Sequence, residues 1–138
     1  MGPVVCNRAP LLLAYLREVR AQGAVVRAGR FDCALYAAGW VKRCTGNDLA
    51  QQWRGTYRRL KDGRALIREA GFDGPADLAA SYLPEIRGWQ NAQLGDVATI
   101  EEDGETAFGI IGGQQIHVLS PIGLDYVHLD RAARIFRP

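Results

Sequence analysis

Apolar residues recur at helical spacing through the first two thirds of the chain, then give way to short runs rich in Val, Ile and Phe. Ala9-Pro10 opens a first helix, with Leu12, Leu13, Leu16 and Val19 on its stripe and Gly23 at its end. A second helix is predicted from Cys33 to Cys44, with Leu35, Ala38 and Val41 around its turns and Thr45-Gly46 as its stop. Asn47-Asp48 reads as the cap of a short helix carrying Leu49 and Trp53. A basic segment, Arg58 to Lys61, leads into a helix over 62–70 that Gly71 ends. Gly74-Pro75 then starts another, reaching Tyr82. Beyond Pro84 the segments 96–100, 106–111, 114–119, 124–128 and 134–137 read as strands. Asp103-Gly104, Gly112-Gly113 and Pro121-Ile122-Gly123 supply the turns. Helices followed by a meander of antiparallel strands predict an α+β fold.

A length of 138 residues favours one domain spanning 1–138, with no linker or repeat to divide it. Three cysteines, Cys6, Cys33 and Cys44, have neither even number nor CxxC spacing, so neither a disulfide framework nor a zinc site is predicted. No cofactor is implied. No stretch approaches the roughly 18 apolar residues of a membrane span, and Leu11–Leu16 runs directly into Arg17, Glu18 and Arg20. A chain made in a reducing cytoplasm is expected. The net charge of +2 hides a strong asymmetry. Residues 1–70 carry thirteen of the seventeen Lys/Arg and five of the fifteen Asp/Glu, leaving the rest of the chain acidic. Such halves can meet within one fold, or steer docking onto a charged partner.

The stretch Phe31-Asp32-Cys33-Ala34-Leu35 sets a thiol at the mouth of an apolar helix. Free amides at a helix N-terminus favour thiolate, the reactive form. Asp32 can cap those amides, although its charge disfavours a neighbouring thiolate. Cys44 stands at the far end, where the dipole acts the other way. Cys33 is therefore the nucleophile candidate, against the alternative of a small buried core residue.

The order Asp32-Cys33, Leu94-Gly95-Asp96-Val97, Ala107-Phe108-Gly109-Ile110 and Ile116-His117-Val118 resembles the NlpC-type, papain-like cell-wall cysteine peptidases over residues 28–137, with 1–27 as an added N-terminal helix. The likeness is greatest to small phage-tail members. It implies a papain-like fold, a helical N-terminal half packed on a small antiparallel sheet, with Cys33 as the nucleophile. Asp32, Asp96 and Trp89 become candidates for lining the groove or orienting groups in it. The pattern breaks at Ala107, which stands where the family has its catalytic His, while His117 matches the family's third polar residue.

Register decides whether His117 could serve as the base. A Gly112-Gly113 turn would pair Ala107 with Val118 and turn His117 away from Ala107's face. A three-residue loop, 112–114, would pair Gly109 with His117 and place it on that face. His128 reads as a half-buried structural residue. The expectation is a site that has lost its chemistry, in a phage or prophage tail-tip protein made in the host cytoplasm and carried in the virion, contacting other tail-tip or hub proteins. The alternative is an active peptidase or amidase opening peptidoglycan during infection. Arg54, Arg58, Arg59, Lys61, Arg64 and Arg68, with Trp53 and Tyr57 between them, read as a solvated face rather than a nucleic-acid surface. Glu101–Glu105 reads as a solvated hairpin tip.

Overall fold

In the computed structural model, which describes residues 8–138, the first stripe forms α1 (Arg8–Ala21). It buries Leu12, Tyr15, Leu16 and Val19, the spacing of one helix face. The second forms α2 (Cys33–Thr45), capped by Asp32 and ended by Gly46 at φ 83°, which donates its N–H to the Lys42 carbonyl. Close approach of the two helices depends on Gly39. A Cβ there would sit 2.5 Å from the Tyr15 hydroxyl. The Tyr15 hydroxyl instead donates to the Tyr36 carbonyl at 2.6 Å, and the two rings stack with centroids 5.9 Å apart. Burial pushes the Tyr15 pKa up to about 12.

Helices α3 (Leu60–Glu69) and α4 (Pro75–Tyr82) follow, α4 with Pro at its first position. The expected short helix over Asp48–Trp53 is absent and turns stand in its place. Asp48 accepts from the Ala50 amide only two residues on, and it pairs with the Arg54 guanidinium through both oxygens. That local closure competes with a helical start.

The strands are β1 (Glu85–Ile86), β2 (Val97–Glu102), β3 (Glu105–Gly112), β4 (Gln115–Ser120), β5 (Gly123–His128) and β6 (Arg134–Phe136). They form an antiparallel sheet in the order β1-β6-β2-β3-β4-β5. The two-residue β1, unforeseen in the sequence, pairs with β6. Asp103-Gly104, both at positive φ, makes the β2–β3 turn as read from the sequence.

One face of the sheet carries Val97, Phe108, Ile110, Leu119 and Phe136 against the helices. The other carries Ala98, Ile100, Ile111, Ile116 and Ile135, covered by Leu129, Ala92 and Ala132 from the connecting segments. With both faces covered, Val97–Ile100 are all buried without alternation, the Thr99 hydroxyl accepting from the Arg134 amide at 3.1 Å. The result is an α+β arrangement with four α-helices and six strands among the described residues. No helix among them is long and apolar enough to cross a membrane.

Candidate functional site

Asp32 organises the start of α2. Its backbone is extended, and its buried carboxylate accepts from the Leu35 amide at 3.0 Å and the Gly29 amide at 3.1 Å. The Tyr57 hydroxyl donates to the same carboxylate, and burial together with that carboxylate pushes the phenol's pKa up. Gly29, at φ 80°, closes the preceding turn. A Cβ on it would fall 1.8 Å from the Tyr57 carbonyl oxygen. Asp32 thus acts as a cap and a loop anchor, with three donors already satisfied.

Cys33, half-buried, follows it in α2. The expected depression of its pKa is not found. Burial is the dominant influence and pushes the thiol up, and the Asp32 charge adds to this. The amides of Phe108, Ala34 and Cys33 itself pull the other way without prevailing. Neither histidine is among the groups acting on the sulfur. Cys44 is half-buried at the other end of α2, and Cys6 lies outside the described residues.

His117 stands in neither register foreseen from the sequence. The chain turns at Gly113-Gln114, so Gly112 pairs with Gln115, Ile110 with His117 and Gly109 with Val118. His117 therefore shares the helix-facing side with Ile110, but its ring lies over Gly112. A Cβ at Gly112 would be 2.6 Å from Nε2 and 3.8 Å from Leu12. Burial, helped by the Arg20 charge, lowers the His117 pKa. Its carbonyl accepts from Tyr36 at 3.4 Å, but its side chain does not border the cavity beside Cys33.

Ala107 does border that cavity, yet it pairs with Ile100, whose side chain belongs to the far face of the sheet. Alternation directs its Cβ away from α2, so the position where the resembled family carries its catalytic His does not face Cys33. His128 is exposed rather than half-buried. Its Nδ1 accepts from the Asp130 amide at 3.1 Å and caps the turn Leu129–Arg131.

The remaining candidates separate from Cys33. Buried Asp96 is clamped by Arg137 through both carboxylate oxygens, at 3.0 and 2.9 Å, and accepts from the Gln93 amide at 2.8 Å. It ties the end of the chain to the start of β2. Trp89 lies in a single turn, Trp89–Asn91, and is absent from the cavity wall. Among the described residues no group of three or more His, Cys, Asp and Glu side chains is placed to hold a metal ion.

What does surround Cys33 is a cavity of about 420 Å³ between α2, α3, α4 and the β2–β3 hairpin. Its wall is largely apolar, with Leu49, Trp53, Tyr57, Leu60, Ile67 and Leu78 among its larger side chains. Tyr57 and α3 were not singled out as site elements from sequence. One signal was present: Gly63, isolated within an amphipathic helix, where a Cβ would be 2.9 Å from the Tyr57 ring.

Fold and site together define an α+β domain with a capped, helix-borne cysteine in an apolar cavity and no imidazole at the sulfur. The chain belongs to the family described as Domain of unknown function (DUF6950), matched over residues 7–138. None of the curated proteins and none of the solved structures compared with the chain matches it.

Proposed function

We propose that the chain is a bacteriophage or prophage-derived tail-tip component with an NlpC-type, papain-like fold, kept for assembly contacts after its thiol chemistry was lost. On this reading it is made in the host cytoplasm, carried in the virion, and contacts other tail-tip or hub proteins. The support for ancestry is the resemblance of the motifs, together with their placement. Asp32-Cys33 opens a helix packed on an antiparallel sheet, Gly95-Asp96 leads into β2, and Phe108 and Ile110 of the β3 motif face that helix, although position 107 does not.

The observation that carries the loss of catalysis is the environment of the sulfur. A thiol nucleophile needs a lowered pKa or an adjacent base. Cys33 has a raised pKa and no imidazole acting on it. General-base assistance is worth roughly 10²–10⁴-fold in rate, so its absence should leave turnover close to background.

Incubation with purified peptidoglycan tests this. The wild type and Cys33→Ala should release the same soluble muropeptide as buffer, beside a competent NlpC-type peptidase that digests the same material. Digestion by the wild type that both Cys33→Ala and His117→Ala eliminate would establish the alternative, an active cell-wall peptidase.

A further inference from the structure

The cavity beside Cys33 is bordered by large apolar side chains that the fold leaves only part-covered. Helix α3 is amphipathic, yet Gly63 alone of its residues is fully buried. Its apolar positions Leu60 and Ile67 border the cavity instead, Leu60 being 45% exposed. Trp53 and Leu78, also on the wall, are only half-buried. Large apolar side chains left part-covered around a common space of 420 Å³ mark a surface built to receive something.

The rim says what. The β2–β3 hairpin brings Glu102, Asp103 and Glu105 to the cavity, all exposed, while among the described residues Arg64 is the sole basic one on its wall. Arg64 is already engaged by Glu105 at 3.3 Å. Glu102 meets Arg131 at 3.0 Å from outside the cavity. A fatty carboxylate or an anionic lipid surface would meet this acidic edge unfavourably, with no unengaged guanidinium to receive it. With Glu105 on Arg64 and Glu102 on Arg131, the hairpin keeps one net negative charge, centred on Asp103, so apolar side chains flanked by a cation fit both the wall and the rim.

We infer that the cavity binds an apolar peptide segment of a partner protein, large side chains seated between α2, α3 and α4, with flanking Lys or Arg against the hairpin carboxylates. The inference rests on reading the chain as a contact-making domain, and it names the chemistry of the segment contacted. Cys33 serves here as an uncharged part of the wall.

The test uses the full chain and three capped, fluorescein-labelled peptides sharing a Leu-Trp-Leu centre and flanked by Lys, Ser or Glu. Fluorescence polarisation should show the Lys-flanked peptide binding at least tenfold more tightly than the Glu-flanked one, with added salt narrowing the gap. A Glu102→Gln/Asp103→Asn/Glu105→Gln variant, altered only at exposed positions, should lose most of that preference while still binding the Ser-flanked peptide. Binding blind to the flanking charge, or none at millimolar protein, would overturn the inference. So would decanoate displacing the Lys-flanked peptide at equal concentration, or sedimentation showing a dimer whose formation excludes the peptides. Peptidoglycan cleavage would remove the scaffold reading by itself and leave the peptide result to be judged on its own numbers.

Discussion

Trp40→Ala should lower the free energy of unfolding by about 3–5 kcal/mol, among the largest losses available to a single substitution here. Trp40 is fully buried in α2 and packs beside Tyr15, with ring centroids 5.9 Å apart. Its Nε1 donates to the Gly95 carbonyl at 2.8 Å, linking α2 to the turn that leads into β2. Alanine would leave a large void and strip a buried carbonyl of its donor. Trp40→Phe shifts the balance of the two effects, because it keeps much of the apolar volume while losing the N–H, and should cost less, about 1–3 kcal/mol. Urea denaturation measures both. A Trp40→Ala loss under 1 kcal/mol would mean that α2 is not held to the sheet through this residue.

Asp32→Ala should cost about 3 kcal/mol. A helix cap alone is worth about 1 kcal/mol, and each donor left unmet in a buried position adds to that. Three donors converge on this carboxylate, the amides of Gly29 and Leu35 and the Tyr57 hydroxyl. Asp32→Asn keeps an acceptor for Leu35 and should cost less than half as much. Because Tyr57 lines the cavity, the alanine variant should also weaken peptide binding at temperatures where it remains folded. Equal stability of Asp32→Ala and wild type would remove Asp32 as the organiser of the site.

The start and stop of α2 were legible because their signals are local: an Asp cap at 32 and a glycine at 46 that tolerates positive φ. The β2–β3 turn was legible for the same reason, Asp103-Gly104 being suited to a two-residue hairpin. The β3–β4 register was not. Gly112, Gly113 and Gln114 permit turns at several positions, and a one-residue shift moves every following side chain to the other face. The register formed, with Ile110 opposite His117, seats Ile116 in the far-face core and Leu119 in the helix-facing core, the same faces a Gly112-Gly113 turn would give; the three-residue loop would have exchanged them.

The ionisation of Cys33 was misjudged for a related reason. The helix amides are visible in the sequence, but the burial that outweighs them is tertiary, as is the opposing pull of the Phe108 amide, some seventy-five residues away. Asp48 carries a cap signal in the sequence, but the Arg54 guanidinium six residues on closes a local turn there instead. Asp96 was legible as a special position but not in its role, because its partner Arg137 lies at the opposite end of the chain's strand region.

The alkylation rate of Cys33 against pH, in a Cys6→Ser/Cys44→Ser background where it is the remaining thiol, bears most directly on whether this cysteine retains a base. Burial without an imidazole predicts slow reaction at pH 7. The rate should rise through a single ionisation above the ordinary thiol range, with an unchanged profile in His117→Gln. A rate plateau persisting below pH 6, lost in His117→Gln, would reveal a thiolate–imidazolium pair and contradict the reading of a site without chemistry.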